Sequence, residues 1–405
     1  MTLPSERTSR EIRAGRVTRR PPSFAVMLVA LAIVFALAWM FFLRSGPAAT
    51  APVVRGIQGT YTWRAPGTSV GQTGTFSAVA GGNAGGEAKS TAVVLGGGPP
   101  AAAYDAAART ETMRVSHGPV VTEVRTVGAW PPVWRVATRS PLDYQGLAAV
   151  VRSAVEDGDE TVGIKPLKDG DRTVWRAAMT VDGKQIDVVV DQETGIVTWC
   201  SDGKSTFTAE VDWDSPPPAG ASYSVEVPAG TKVKTTDDDT HSYAPSAAAA
   251  GAAAGYDALV SDLAPDGYRL KAVATTRDDL RPLSWFSDTV ISVPVASTGT
   301  AVLELYTRGL SQVTVEQVGP ATMGLWAKVS GEEGEPAPDK LSYQESTLQY
   351  GALKGATAST WYQESGPSLY VSDARRAVFI TGALTRQELI AFAEGLKPVP
   401  ASASR

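Results

Sequence analysis

Cysteine, histidine and asparagine are almost absent from the 405 residues: one cysteine, two histidines and a single asparagine, Asn83. With Cys200 alone, the chain forms no intramolecular disulfide and no thiolate metal cluster. Only His117 and His241 could act as imidazole bases. His117 stands in a predicted turn, Ser116-His117-Gly118-Pro119, and His241 in a polar joint, so both read as surface residues. No glycine-rich phosphate cradle precedes a helix. Gly67-Thr68-Ser69-Val70-Gly71 has nucleophile-elbow spacing without the apolar strand before it or the helix after it. Asp237-Asp238-Asp239 with His241 lacks the spacing and turn glycine of a calcium loop. Glu332-Glu333-Gly334-Glu335 reads as a solvated loop. No catalytic set, metal site or cofactor is expected, and the chain is not expected to be an enzyme.

Beyond the N-terminus acidic residues outnumber basic ones. Six arginines (Arg7, Arg10, Arg13, Arg16, Arg19, Arg20) against Glu6 and Glu11 give residues 1–23 a charge of +4, so the remainder carries −9 of the formal −5. Such an acidic remainder lacks the basic face that nucleic acids require. With 43% hydrophobic and 20% charged residues, the composition is that of a globular chain long enough for two or three domains.

What the chain does have is one long apolar run. Phe24 to Leu43 holds twenty residues without charge, glycine or proline. At 1.5 Å per residue a helix of that length spans about 30 Å, the thickness of a bilayer's hydrocarbon core. The preceding arginines predict a cytoplasmic N-terminus, and Trp39, Phe41 and Phe42 suit an interfacial belt. The rival reading is a signal peptide cleaved near Ala48-Ala49-Thr50-Ala51, but signal cores usually run only about 7–15 residues. Either way the bulk of the chain is expected outside the cytoplasm of a bacterial cell, at the cell membrane. The predicted order is a basic tail (1–23), a transmembrane helix (24–43), a stalk (44–55), a β-rich domain (56–234), a linker (235–255), a smaller α+β domain (256–398) and a tail (399–405).

In the first domain, Thr68 to Pro100 is so rich in Gly, Ser and Ala that it reads as loops and connections. The second half is clearer. Ser140-Pro141-Leu142-Asp143 predicts a capped helix over Ser140–Glu156, with Leu147, Val150, Val151 and Val155 at helical spacing and Asp157-Gly158 as its end. Four strands follow, paired through Asp182-Gly183 and Asp202-Gly203, dipeptides that supply the positive φ angles of tight hairpins. Phe207, Ala209, Val211 and Trp213 alternate with polar residues, giving one buried and one wet face. Together these predict an antiparallel meander packed on one helix. In the second domain, Ala301 to Tyr306 and Ser311 to Val318 form a hairpin across Arg308-Gly309, and Ala377 to Ile380 is a strand. Thr385-Arg386-Gln387-Glu388 is a capping box with a Leu384–Leu389 staple, opening a helix that presents Leu389, Ile390, Ala393 and Leu396.

Trp130, Trp134, Trp175, Trp199 and Trp213 crowd a domain otherwise poor in large apolar residues. They read either as core packing or as the lining of an apolar cavity, left by a sheet that does not close, for an acyl chain or apolar peptide segment.

Several short segments resemble the MucB/RseB-like regulators of envelope stress, whose first domain has the LolA lipoprotein-carrier fold. Arg172-Thr173-Val174-Trp175-Arg176 is similar to that family's R-x-x-W strand, and Asp191-Gln192-Glu193-Thr194-Gly195 to its D-x-x-T-G hairpin. Pro265-Asp266-Gly267-Tyr268 resembles the P-x-G-F start of its second domain. Tyr306-Thr307-Arg308-Gly309-Leu310-Ser311-Gln312-Val313-Thr314-Val315 is similar to its Y-S-D-G-L hairpin, and Ala377 to Gly382 to its closing strand. The resemblance implies an α+β chain with a LolA-like half-open antiparallel β-barrel around the helix, then a smaller sheet with a flanking helix. It implies a lipid or lipoprotein acyl ligand that alters affinity for a membrane partner, such as an anti-sigma factor or another envelope protein. Two departures are expected: an anchor of the chain's own, and a 23-residue cytoplasmic tail too short for a sigma-binding domain. A lipid or lipoprotein carrier or chaperone is the alternative expectation, although a retained helix would keep a shuttle from diffusing.

Overall fold

The computed structural model describes residues 53–80, 88–95, 102–105, 110–117, 120–127, 141–159, 162–181, 183–215, 232–237, 241–262, 264–265, 267–276, 300–319, 343–373 and 376–401. The Phe24–Leu43 segment, Trp130 and Trp134 lie outside these residues. Among the described residues, no helix is long and apolar enough to cross a membrane.

The first sheet begins with β1 (Gly56–Arg64), β2 (Gln72–Ala80), β3 (Ala88–Leu95), β4 (Ala102–Asp105), β5 (Thr110–His117) and β6 (Val120–Val127). After α1 (Gln145–Asp157) come β7 (Gly163–Asp169), β8 (Arg172–Val181), β9 (Lys184–Asp191), β10 (Val197–Ser201) and β11 (Thr206–Val211). With β12 (Lys232–Asp237) these make a twelve-stranded sheet in the order β12-β6-β5-β4-β3-β2-β1-β11-β10-β9-β8-β7. Its pairs are antiparallel except β12, which runs parallel to β6, and its two edge strands do not pair to close a barrel.

The second sheet comprises β13 (His241–Ala244), β15 (Arg269–Thr276), β16 (Ala301–Arg308), β17 (Ser311–Val318), β21 (Ala377–Gly382), β20 (Gly366–Ser372), β19 (Thr357–Gln363) and β18 (Gln344–Thr347), in that order. A ribbon of β14 (Ala258–Ser261) and β22 (Leu396–Val399), with α2 (Ala247–Ala254) and α3 (Arg386–Glu394), completes an α+β fold. Both sheets belong to one compact unit, Ala51–Arg405.

The β8–β11 meander follows the alternation in the sequence. Ala177, Met179 and Val181 on β8, Ile186, Val188 and Val190 on β9, and Phe207 on β11 are all buried with Leu147, Val150, Val151 and Ala154 of α1. Gly158 ends α1 in the left-handed region at φ 62°, its N–H donating to the Ala154 carbonyl, as Asp157-Gly158 foretells.

The start of α1 differs from expectation. Pro141–Tyr144 is a 3-10 turn, and Tyr144 sits at the N-cap without a side-chain cap bond. The Tyr144 ring lies 4.6 Å from that of Phe207, so a tertiary contact holds this end. The expectation of loops over Thr68 to Pro100 is also corrected. Residues 72–80 and 88–95 pair as β2 and β3, with Phe76 and Ala78 buried. His117 ends β5 and His241 begins β13. Leu396 opens β22 rather than extending α3, which stops at Gly395.

The Thr385 capping box forms as expected, its hydroxyl accepting from Glu388 N while Glu388 Oε2 accepts from Thr385 N at 2.8 Å. The Arg308-Gly309 hairpin joins β16 and β17 in register. The alanine run becomes α2, capped by Ser246 and ended by Gly255 at φ 82°.

Candidate functional site: a cavity at the seam of the two sheets

Helix α1 is covered on both sides: it packs on β9 and β10 of the first sheet and on β19, β20 and β21 of the second. That placement requires backbone to touch backbone. A Cβ on Gly146 would fall 2.2 Å from the Ser365 carbonyl carbon. Gly366, at φ +122°, would place one 2.5 Å from the Gly382 oxygen. Glycine alone permits this approach.

Further along α1 the seam is polar and crossed by ion pairs and hydrogen bonds. Arg386 Nη1 meets Asp157 Oδ2 at 2.8 Å, with the Arg386 side chain 2% exposed, and its guanidinium lies 4.4 Å above the Tyr362 ring. Arg152 Nη2 meets Glu388 Oε2 at 3.1 Å. Ser153 Oγ accepts from Arg386 N at 3.0 Å and from Tyr362 OH at 3.3 Å. Pairs this buried are geometrically demanding, which fixes how the sheets meet.

Beside this seam opens a cavity of about 580 Å³. The first sheet gives it Trp63, Ile186, Cys200 and Phe207, the approach to α1 gives Leu142, Tyr144 and Leu147, and the second sheet gives Gln312, Glu364, Ser365, Gly382 and Ala383. The volume lies in the range of small-molecule sites, as does the mix of apolar wall and few polar groups. At the rim, exposed Lys184 pairs with Glu364 at 3.0 Å, linking the sheets across the opening. Asp202 Oδ1 accepts from the Lys204 and Ser205 amides at 2.9 and 2.6 Å, and the bond from Ser205 N is the main reason its carboxyl sits below the usual range. Burial pushes the Cys200 thiol up to about 12, so it remains protonated and acts as a small apolar wall group.

None of the described candidate tryptophans lines this cavity. Trp175 pairs with Val190 and Trp199 with Val189, so the two rings lie on opposite faces of the sheet. Arg172 lies 4.1 Å over the Trp213 ring, and Arg176 lies 5.8 Å over Trp199. Trp175 and Trp213 are half-buried against the first core. Trp63, which does line the cavity, shares the core-facing side of β1 with Ile57 and Tyr61. That period-two spacing was the available signal.

The D-x-x-T-G segment has a clear structural role. Asp191, 1% exposed, accepts from Arg172 Nη2 at 2.8 Å, Thr194 N at 2.8 Å and Thr194 Oγ1 at 2.7 Å, so one carboxylate ties β8 to the β9–β10 turn. Tyr268, after Gly267 at φ +90°, is buried and donates to the Ala383 carbonyl at 3.3 Å.

No family model matches the chain, and no curated protein does. Among solved structures, MucB in complex with MucA(peri) is similar at 13% identity and a TM-score of 0.24, over 86% of this chain and 94% of that one. MucB alone gives 12% and 0.22, over 90% and 98%. PNGF-II gives 10% and 0.25, over 83% and 69%. PNGF-II thus stands level with MucB, and at such scores the likeness carries no argument about fold or function.

Proposed function

We propose that this is a non-catalytic binding and regulatory protein. It is anchored by Phe24–Leu43 with its N-terminus in the cytoplasm, and its sheets lie outside the cell membrane. An apolar ligand of the acyl-chain class enters the seam cavity and changes the affinity for a membrane partner such as an anti-sigma factor. The cavity carries this reading: its walls come from both sheets, so occupancy bears directly on how the sheets pack. Six methylenes buried there would contribute about 5 kcal/mol, ample for regulation. The anchor rests on the uninterrupted apolar run and its flanking arginines, and the partner class on the sequence resemblance alone.

The test uses the full chain, solubilised in amphipol and titrated with a fluorescent hexadecanoyl probe. Saturable binding is expected, weakened at least about tenfold by Ser205→Trp, which fills the cavity mouth from a half-exposed position. Absence of saturable binding, or equal binding by the variant, overturns the ligand reading. Full-length protein that never sediments with membranes overturns the anchor. A processed, freely soluble form that hands bound lipid to acceptor vesicles would favour the carrier instead.

A further inference from the structure

The lining of the seam cavity divides into an apolar wall and a charged mouth. Leu142, Ile186 and Phe207 are buried, so the wall they form is dry. The charged lining residues among those described are Lys184, Asp202 and Glu364, and all three reach solvent. The two carboxylates come from opposite sheets, Asp202 from the β10–β11 turn and Glu364 from the β19–β20 turn. An amphiphile therefore fits with its chain inward and its head group at the mouth, within reach of both turns.

The sign of that head group follows from the charges around it. Lys184 supplies one positive charge and already faces Glu364 at 3.0 Å. The start of α1, where Gln145, Gly146 and Leu147 also line the cavity, adds about half a positive charge. Against these stand two carboxylates, and the amide bonds to Asp202 keep it ionised. A third carboxylate lies behind them: the Cys200 thiol in the wall is raised first by burial and then by Glu364, Asp202 and Asp187. Negative charge therefore prevails at the mouth. Two half-buried aromatic side chains, Trp63 and Tyr144, complete the lining there, and the face of such a ring attracts cations and repels anions.

We propose that the cavity takes an acyl chain with a cationic head group of the quaternary-ammonium class, held at the mouth between Asp202 and Glu364 beside Trp63 and Tyr144. A quaternary ammonium has no N–H to satisfy, so opposite charge and aromatic contact are all it requires. Because the two carboxylates belong to different sheets, one cation between them ties the sheets together. The assignment rests on the cavity reading above and narrows it from acyl chains in general to cationic ones.

Three ligands sharing one decanoyl chain separate the alternatives on the full chain in non-ionic amphipol, each displacing the fluorescent acyl probe below its micellar concentration. They are decanoylcholine, its uncharged isostere with a tert-butyl group in place of the trimethylammonium, and decanoate. In low salt, decanoylcholine is expected to bind at least about threefold more tightly than the isostere and at least about tenfold more tightly than decanoate. Both ratios should shrink as salt is raised, since the mouth is solvated. Asp202→Asn keeps an acceptor for the turn amides and is expected to lower both ratios. Asp202→Asn combined with Glu364→Gln leaves Lys184 as the one charged lining residue among those described and is expected to abolish the advantage over decanoate. Folding of the variants is checked by thermal unfolding, and the wild-type comparison stands whether or not they fold. Decanoylcholine no tighter than its isostere, tighter binding of decanoate, or a cation preference that survives in the folded double variant would overturn the cationic assignment while leaving the cavity reading intact. If the acyl probe binds and none of the three displaces it, the assignment alone falls; if the probe itself does not bind, both fall.

Discussion

Asp191 in the first sheet and Glu304 in the second are both deeply buried carboxyl groups, and the two are treated in opposite ways. Asp191 in the first sheet is 1% exposed and accepts four hydrogen bonds, two from Arg172 and two from Thr194. Burial works against its charge, but the Arg172 and Thr194 bonds outweigh it and hold the carboxyl below the usual range. Glu304 in the second sheet is fully buried, and its Oε2 accepts from Tyr306 OH at 2.9 Å while Oε1 has no partner. Burial dominates there, and the carboxyl is pushed up to about 8, so it is held neutral near pH 7. Depth alone does not decide charge. The number of donors aimed at the carboxyl does.

The largest expected effect comes from breaking the first arrangement. Asp191→Ala removes the buried partner of the Arg172 guanidinium, leaving it only exposed Glu193, and releases the β9–β10 turn, so a loss of about 3 kcal/mol is expected in urea unfolding. Arg172 is partly exposed, which keeps the figure at the low end for a broken buried pair. Because the folded Asp191 value is depressed, its stabilisation is present above the unfolded value near 3.8 and is lost as pH falls through the lower folded value. Asp191→Asn is expected to flatten that acid limb. A loss under about 1 kcal/mol for Asp191→Ala would show that the four bonds merely follow the fold.

Breaking the second arrangement should have the opposite sign. The folded Glu304 value is raised, so its stabilisation is complete below the unfolded value of 4.5 and is lost as pH rises through about 8. Glu304→Gln keeps the shape and removes the titration. The variant is therefore expected to equal or fall below the wild type in Tm at pH 5 and to exceed it at pH 9. Parallel Tm profiles across that window would show that Glu304 does not titrate there.

These differences also mark what the sequence could disclose. The Thr385 box and the Asp202-Gly203 hairpin depend on residues three or four apart, so their chemistry is visible in a short window. The same reasoning began the α-helix too early: Pro141-Leu142-Asp143 forms a 3-10 turn, and Ser140 lies outside the described residues. There a ring contact between Tyr144 and Phe207, more than sixty residues away, holds the helix start after a 3-10 turn. Residues 72–80 lie in a stretch, Thr68 to Pro100, that looks like linker because it is rich in Gly, Ser and Ala, yet long-range pairing with β1 and β3 makes them strand. On β16, residues Ala301 to Thr307 are all buried because both faces are covered, which erases the alternation that would place Glu304 and Thr307. The cavity was the least legible feature. It joins Trp63 to Gln312 and Ser365 through the close approach of Gly146 and Gly366, and no local pattern encodes that meeting.

The smallest effect is expected where the sheets are linked in water. Lys184 and Glu364 bridge the cavity mouth at 3.0 Å, with side chains 53% and 44% exposed. Solvent screens such a pair, and holding two long side chains in one geometry costs rotamer freedom, so Lys184→Ala is expected to change stability by about 0–0.5 kcal/mol. The bridge nevertheless spans the opening between elements that reach one another elsewhere through buried contacts. Its removal should therefore show in ligand exchange before it shows in unfolding: acyl-probe dissociation from Lys184→Ala is expected to quicken severalfold at unchanged Tm, and added salt should produce the same quickening in the wild type. If the variant lost more than about 1 kcal/mol while probe exchange stayed constant, the exposed pair would belong with Asp191 among the groups that hold the fold, and the contrast between buried and solvated links at the seam would fail.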